Sequence, residues 1–483
     1  MTDAAAGATG GWSPERSAAV RHNPYLIAFV VSIATFMEVL DTTIANVALR
    51  HIAGGLAVGL DESTYIVTSY LVANAIVLSI SGWLSTVIGR KRFYMICVAT
   101  FAFASLLCGF AWSAGALVAF RAIQGLAGAV LAPAALSLLM TSFAEGPERN
   151  RALGIYGAAS GSGAAVGVLL GGVITSYLGW SWIFFVNVPV GVGAALLAPR
   201  ILRESRADLG HKHFDVAGAA TVTSGLMLFV YALTQGGWME YALSGLLIAA
   251  FVVIESRSQW PLLPLRIFRL RALSTANGIM AALGAVTFGE FFLLTLYLQG
   301  VLRYSAVETG VAFSAFAGSV VVASNLAQRV VARIGVRQTL TLGLVLSAAS
   351  IAYLTRLPIG ADYFGDLFPA FIVGGSGLGL SFVPVTISSL QGIGRSDAGV
   401  ASGLINTSRQ IGGAVGLAAV TAIAATSTGH AASSVSLDHG YQTALYALTG
   451  LSVLAAVAAA TLLRAPQPAE HEIPSTVRLE EAA

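Results

Sequence analysis

Long apolar segments, each about the length that crosses a bilayer as a helix, follow one another along almost the whole chain. The chain is 56% apolar and only 10% charged, whereas a soluble protein carries about 25% charged residues. So much apolar surface must face lipid, and the sequence predicts an all-α polytopic membrane protein. We predict fourteen spans, at residues 24–49, 63–87, 93–111, 116–140, 152–177, 182–200, 215–235, 239–256, 272–300, 308–330, 338–356, 364–388, 398–425 and 440–463.

The basic residues test this number of spans. With a cytoplasmic N-terminus, 21 of the 26 Lys and Arg residues fall on cytoplasmic segments, and external loops hold only Arg50, Arg303 and Arg356. Such an excess on the cytoplasmic side is typical of membrane proteins. The eighth segment is the weakest, because its charge-free core is only Tyr241–Ile254. A thirteen-span arrangement would lose the charge asymmetry after Arg257, so we predict fourteen spans with both termini in the cytoplasm.

A faint internal repeat indicates the domain organisation. The second span ends in Gly89-Arg90-Lys91, and the tenth ends in the similar Gly335-Val-Arg337. Transporters are often built from such repeats. We predict two six-helix halves at residues 23–203 and 272–464, with a helix pair inserted at 204–271. Residues 1–22 and 465–483 are polar or small without any period, which predicts disordered cytoplasmic tails.

Three acidic residues lie inside predicted spans. Glu38 and Asp41 are the only charges in the 26-residue run Pro24–Leu49, and Glu290 lies in the ninth span. An acid within a membrane span is costly unless it lines a cavity, so each marks a candidate functional site. Three residues apart on a helix, Glu38 and Asp41 point roughly the same way. Glu290 is predicted to bind a proton or a cationic substrate. The alternative is an acid that lies near the membrane interface or is paired with a neighbouring residue, and Arg409 is the plausible partner.

The loop after the second span carries a recognisable motif. It reads Gly82-Trp-Leu-Ser-Thr86-Val-Ile-Gly89-Arg90-Lys91 and resembles the G-x-L-A-D-R-x-G-R-K signature of the major facilitator superfamily, with Thr86 where the family usually has Asp. The resemblance implies that Gly82, Gly89, Arg90 and Lys91 belong to a conformational switch, because a basic cluster can hold a neighbouring helix C-terminus. The alternative is a basic loop that only sets topology.

A motif in the fourth span agrees with this family. Arg121-Ala-Ile-Gln124-Gly125 in the fourth span resembles the R-x-x-Q-G motif, in which the Arg is linked to proton coupling; the alternative is an Arg that only ties two helices together. A buried Arg needs a carboxylate or several carbonyls, and Glu38 and Asp41 are the nearest candidates.

Small residues line one face of the fifth span. Gly163, Gly167 and Gly171 recur every four residues, which lets another helix approach closely. The segment from Gly167 to Gly172 resembles the antiporter motif G-P-x-x-G-G, with Val168 in place of the Pro. We therefore predict that these four glycines take part in the conformational switch, with plain helix packing as the alternative.

Signatures elsewhere narrow the family. Asp41-Thr-Thr-Ile-Ala-Asn46 in the first span, Trp180–Gly191 around the sixth and Ala401–Gly413 in the thirteenth are similar to those of fourteen-span drug:proton antiporters of the EmrB/QacA type. The resemblance implies a major facilitator fold with six, two and six helices. It also implies proton-coupled efflux of amphipathic, cationic drugs or toxic compounds by alternating access.

Site roles follow from the resemblance together with the membrane acids. We predict Asp41, Glu38 and Arg121 as proton-coupling residues, and Glu38, Glu290 and Asn46 as substrate-binding residues. Asp41 lies inside the matched motif and is the better candidate for the proton, whereas Glu38 lies outside it. One alternative is a dedicated exporter of one metabolite, antibiotic or siderophore on the same scaffold. A remote alternative is a non-transporting membrane receptor or assembly subunit.

The sequence shows no metal-ligand spacing, phosphate-binding loop or nucleophile–base pair, so we predict neither an enzyme nor ATP-driven transport. The expected partners are a small-molecule substrate, protons and the lipid bilayer, with no nucleic acid and no cofactor beyond the proton gradient. A periplasmic adaptor protein, with which some members of the family work, is a further partner that the resemblance allows. The expected location is the bacterial inner (plasma) membrane.

Overall fold

The computed structural model describes residues 24–59, 65–67, 69–70, 73–74, 81–143, 147–202, 204, 215–235, 237–259, 261, 263, 265–358, 360–393, 398–428 and 434–463. These residues form helices and connecting turns, and none of them forms a strand. The predicted tails at 1–22 and 465–483 lie outside the described residues.

The α-helices run in chain order as α1 (Pro24–Gly55), α2 (Ser81–Ile88), α3 (Arg90–Gly109), α4 (Ala114–Ser142), α5 (Pro147–Tyr177), α6 (Trp182–Phe185), α7 (Asn187–Ile201), α8 (Val216–Gln235), α9 (Trp238–Arg257), α10 (Arg271–Leu296), α11 (Ala306–Ile334), α12 (Val336–Leu354), α13 (Phe368–Leu390), α14 (Ala398–Thr428) and α15 (Ser434–Leu462). A 3₁₀ turn at Leu265–Arg269 precedes α10. A short π-helical segment at Tyr297–Val301 follows α10, and another at Tyr363–Leu367 precedes α13.

Helices occupy the predicted apolar segments. Among the described residues, nine helical segments are long and apolar enough to cross a membrane. The second predicted span is described in part, by helical residues at 65–67, 69–70 and 73–74 and by α2. Helices satisfy their own backbone hydrogen bonds, which lipid cannot do for them. The all-α class is therefore confirmed, and fourteen spans is compatible with the structure and stays a prediction.

Glycines bring α1 and α5 into close contact. A Cβ added at Gly163 would lie 3.1 Å from the Phe36 carbonyl oxygen, and one at Gly167 would lie 2.8 Å from that of Leu40. A Cβ at Gly171 would meet Ile44 at 3.1 Å. The regular four-residue spacing thus presents one bare face of α5 to α1, as the sequence predicts.

The same kind of packing joins α10 to α14. A Cβ at Gly284 would collide with the backbone of Arg409, and Cβ atoms at Gly412 and Gly416 would collide with the backbone of Ala281 and Ala285. Both helix pairs therefore pack backbone against backbone. This close packing holds the polar side chains of α1 and α14 at fixed heights in the bundle.

The helices form two groups that meet along specific neighbours. We call α1–α7 the N-terminal helix group and α10–α15 the C-terminal helix group; α8 and α9 pack on each other. The two groups touch where α5 packs on α11 and α13, and where α2 and α4 pack on α14. The domain boundaries predicted from the sequence stay a prediction.

One predicted helix start is confirmed. The sequence favours Asp215 as the residue that caps the seventh span, because Asp accepts hydrogen bonds from free backbone N–H groups at helix starts. In the structure α8 begins at Val216, and the Gly218 N–H donates to Asp215 Oδ1 at 2.7 Å. Asp215 therefore has a structural part at this helix end.

Candidate functional site

The centre of the site is a buried ion pair between α1 and α4. Arg121 Nη1 lies 2.5 Å from Asp41 Oδ2, and the two residues are 1% and 0% exposed. Asp41 comes from the charge-poor run of α1 and Arg121 from the predicted R-x-x-Q-G motif on α4. Burying two charges is costly unless they pair and their remaining polar atoms are bonded. The structure thus joins the acid and the base that the sequence offers as partners.

Amide side chains complete the hydrogen bonding of Asp41. Gln124 Nε2 donates to Asp41 Oδ1 at 2.8 Å, and Asn187 Nδ2 donates to the same oxygen at 3.0 Å. Both amides also approach the Ser105 hydroxyl, at 3.0 and 3.1 Å, and that hydroxyl donates to the Phe184 carbonyl at 2.9 Å. Within the part of the chain that the structure describes, Asp41 therefore accepts from three side chains, all from the N-terminal helix group.

Arg121 is held on its other sides as well. Its Nη1 donates to Gln124 Oε1 at 2.7 Å, and its guanidinium carbon lies 4.2 Å from the centre of the Tyr70 ring. The Phe184 ring lies on a further side, at 5.6 Å. A cation above an aromatic face is stabilised by the ring's negative face. This surrounding fixes the guanidinium in one position against Asp41.

Glu38, one helical turn before Asp41, points to a different partner. Gln410 Nε2 on α14 donates to Glu38 Oε1 at 3.1 Å, and Arg409 Nη2 lies 3.6 Å from Glu38 Oε2. Arg409 itself donates to Asn406 Oδ1, at 3.3 Å from Nε and 3.0 Å from Nη2. The sequence-based pairing of Arg409 with Glu290 is therefore wrong. The packing of α14 turns Arg409 towards α1 instead.

Glu290 lies apart from this cluster. It is 6% exposed on α10, and no hydrogen bond or ion pair reaches its carboxylate from the described residues. Its neighbour Gly289 packs against Val420 and Leu448. The structure thus buries Glu290 and, among the described residues, does not join it to Glu38 or Asp41. Its predicted contact with substrate stays a prediction.

The predicted switch loop has an acidic partner from a distant part of the chain. Glu204, after α7, accepts from the backbone N–H groups of Lys91 at 3.1 Å and Arg92 at 3.3 Å. Lys91 Nζ donates to the Pro199 carbonyl at 2.8 Å. Gly89 has φ of 98°, a value that side-chain-bearing residues rarely adopt. The carboxylate caps the start of α3, where the helix dipole favours negative charge.

The remaining predicted residues are placed only in part. Arg90 is buried at the start of α3, and Gly172 is buried on α5. The side chain of Asn46 and the surroundings of Gly82 lie outside the described residues, although their backbones belong to α1 and α2.

Several residues of the site were not singled out from the sequence. Gln124, Asn187, Asn406 and Gln410 all stand inside the family-like signatures, and each is a large polar side chain in an apolar span. That contrast is the signal that identifies them. Ser105 gives no such signal, because a lone Ser is common in membrane helices. Among the described residues, no group of three His, Cys, Asp or Glu side chains could hold a metal ion.

Comparison with known proteins defines the class of molecule. The pattern of the Major Facilitator Superfamily matches residues 31–417, and the chain belongs to this family of transporters. It is 35% identical to the puromycin resistance protein pur8 of Streptomyces alboniger over 92% of both chains. It is 30% identical to the multidrug export protein EmrB of Haemophilus influenzae, over 82% of this chain and 79% of EmrB.

A solved structure shares the fold. The human organic anion transporter MFSD10 aligns with a TM-score of 0.63 at 14% identity, covering 90% of this chain and 99% of MFSD10. The chain is thus a multi-pass membrane protein with the major facilitator fold, similar to bacterial drug and antibiotic exporters. The resemblance found in the sequence is confirmed.

Proposed function

We propose that the chain exports amphipathic, cationic drugs or toxic compounds in exchange for protons, by alternating access. The observation that carries the proposal is the buried pair of Asp41 and Arg121 in a chain related to exporters. Membrane acids mark proton and ion pathways. An ion pair that only stabilised the fold could be replaced as a pair by well-packed apolar side chains at little cost.

In this cycle the acids of α1 exchange protons with the two sides of the membrane in turn. A proton taken up from outside neutralises a carboxylate and favours the inward-facing state. The substrate then competes with the proton, and release of the proton inside completes the exchange. A positively charged substrate is attracted by the same carboxylates, and Glu290 offers a further buried acid for it. Substrate and proton thus compete for negative charge.

Close helix packing supports the proposed conformational switch. The face formed by Gly163, Gly167 and Gly171 places no α5 side chain between the two helices, so α5 lies directly against α1 and can slide or tilt on it. The bond between Glu204 and the start of α3 ties the loop at Gly89 to the end of α7. We propose that these contacts change between the two states of the cycle.

The membrane arrangement is part of the proposal. Both termini lie in the cytoplasm of a bacterial inner membrane, with the 6 + 2 + 6 division of helices predicted above. A periplasmic adaptor is an optional partner, because some members of the family work with one. The basic residues at 90–92 then face the cytoplasm.

A dedicated exporter is the second candidate. The relative pur8 is named for resistance to one antibiotic, whereas EmrB is named for multidrug export. The same scaffold therefore suits a single antibiotic or metabolite as well as many drugs. Resistance profiles of cells that express the chain distinguish a narrow range of compounds from a broad one.

The decisive experiment is a proton-flux assay in proteoliposomes. Cationic dyes, quaternary ammonium compounds and antibiotics are added in turn, and internal pH is recorded. We expect substrate-driven proton movement in the wild type and none in Asp41→Asn, because the exchange needs both acids of α1 and that variant removes one of them. Undiminished exchange by Asp41→Asn refutes the role of Asp41. Absence of flux with every compound favours the non-transporting alternative.

A further inference from the structure

Of the two acids in the first span, Glu38 is the one whose side-chain bonds cross between the helix groups. Its partners Gln410 and Arg409 both belong to α14, in the C-terminal helix group. The partners of Asp41 are Arg121, Gln124 and Asn187, all in the N-terminal helix group. A change of charge at Glu38 therefore acts directly on the contact between groups, whereas a change at Asp41 acts first within one group.

The two carboxylates also differ in how completely they are bonded. Both oxygens of Asp41 accept hydrogen bonds, one of them from two amides. From the described residues Glu38 accepts one, through Oε1, and its buried Oε2 has no hydrogen-bond partner among them. Arg409 stands 3.6 Å from that oxygen, outside hydrogen-bonding range. Glu38 thus has a vacant acceptor that can take a proton without breaking an existing hydrogen bond.

The charges around Glu38 balance in the ionised state. Arg409 faces it from α14 and Asp41 lies near it on α1, with Arg121 paired to Asp41 from α4. Tyr70 and Tyr156 lie within electrostatic range of Glu38 from the second span and from α5. Two acids and two bases therefore form a neutral buried cluster. A proton on Glu38 leaves Arg409 as the excess charge at the contact between groups.

We propose that Glu38, Gln410 and Arg409 form a proton-released latch between the two helix groups. A proton from the aqueous side binds Oε2 and forms an O–H group, which removes the negative charge that attracts Arg409. Gln410 then donates to a neutral carboxyl, a weaker bond than one to a carboxylate. Loss of the proton on the opposite side restores the carboxylate and closes the latch. This deepens the proposed function and rests on it, since it places the coupling step at Glu38.

The test measures the movement of the two groups and does not rely on transport. Spin labels are placed on α5 and α11, which pack together and run antiparallel. Tyr177 and Val311 label one end, Glu148 and Ile334 the other, and all four side chains are exposed or lie at helix ends. The two native cysteines are first replaced by Ala. Distances are recorded in lipid at acidic and alkaline pH.

Glu38→Gln imitates the protonated form, because the amide has the same shape without the charge. We expect wild type to move between two distance populations as the pH falls. We expect Glu38→Gln to stay in the acidic population at every pH, with the ratio of populations changed about tenfold or more, as the loss of a bond to a charged group implies. Gln410→Met, which removes the donor on α14, should shift the populations in the same direction.

The matched control is Glu308→Gln. Glu308 is an exposed residue in the capping box of α11, where Gln serves equally well. We expect this variant to keep the wild-type response to pH. A Glu38→Gln protein that keeps the wild-type response overturns the latch, provided that it elutes as a single folded species. If it does not fold, the response of Gln410→Met decides in its place.

Failure of the latch and failure of antiport give different results. If the label distances of the wild type change with pH through Glu38 but no compound drives proton movement, the latch is supported and the proposed function is wrong. If the wild type exchanges protons for dye while the label distances of Glu38→Gln still respond to pH, the proposed function is supported and the latch is wrong. The same purified proteins serve both measurements.

Discussion

Replacing Asp41 by Asn tests whether the buried pair with Arg121 stabilises the fold as the structure indicates. The change removes the carboxylate and places an NH₂ group where Asp41 now accepts from Arg121 or from Gln124 and Asn187. In either orientation of the Asn amide, its NH₂ group faces another hydrogen-bond donor. Breaking a buried ion pair on one side costs about 3–5 kcal/mol, because the other charge stays buried.

The surroundings of Arg121 reduce that cost. Its Nη1 still donates a hydrogen bond to Gln124 Oε1, at 2.7 Å, and the Tyr70 ring remains 4.2 Å from the guanidinium carbon. A desolvated cation–π contact contributes about 2 kcal/mol. We therefore expect Asp41→Asn to lose about 3 kcal/mol, at the lower end of the range.

A double-mutant cycle isolates the pair. Unfolding of the purified protein is followed in mixed micelles for wild type, Asp41→Asn, Arg121→Gln and the double variant. The double variant leaves no uncompensated charge, so its loss should be smaller than the sum of the single losses by about 2 kcal/mol or more. Additive losses, or an Asp41→Asn protein within about 1 kcal/mol of wild type, refute the reasoning.

Four further changes test the packing, the switch loop and the third acid. Gly167→Ala should lose about 1–3 kcal/mol of stability, because the new Cβ would lie 2.8 Å from the Leu40 carbonyl oxygen, and thermal unfolding measures it. Gly245→Ala, where no atom of the described residues lies within 4 Å of the new Cβ, should gain about 0.5–1 kcal/mol. Gly89→Ala should slow transport and lower stability together, since φ is 98° and the Cβ would meet Glu204 at 2.6 Å. Glu290→Gln should raise the KM for a cationic dye about tenfold and leave that for a neutral substrate unchanged.

Specific outcomes would contradict these expectations. Equal effects of the two Gly→Ala changes in α5 and α9 would show that close packing on α1 is not the cause. Normal transport and stability of Gly89→Ala would exclude a strained turn. A similar rise in KM for neutral and cationic substrates of Glu290→Gln would indicate a general disturbance of α10 instead of a charge effect.

The sequence predicts much of the candidate site because its signals are local. Asp41 and Arg121 are conspicuous as charges in apolar spans, and each stands in a recognisable motif. The four-residue spacing of Gly163, Gly167 and Gly171 predicts a bare helix face without reference to any partner. Such signals depend on the chemistry of single segments in lipid, so no knowledge of packing is needed to read them.

Other features depend on which helices meet. Arg409 was expected to pair with Glu290, and in the structure it lies 3.6 Å from Glu38. The choice depends on the rotation of α14, which is set by the backbone contacts of Gly412 and Gly416 with α10. The spacing of residues along the chain does not predict that rotation, because residues 38 and 410 are 372 positions apart.

Hydropathy, charge asymmetry and motifs by themselves determined an all-α membrane transporter with acids in its first span. Lipid imposes these features on each segment separately, through apolar length and the cost of buried charge. Only the tertiary structure decided that Asp41 is bonded wholly within one helix group and Glu38 across two. That difference arises because side chains one helical turn apart face different neighbours once the helices pack.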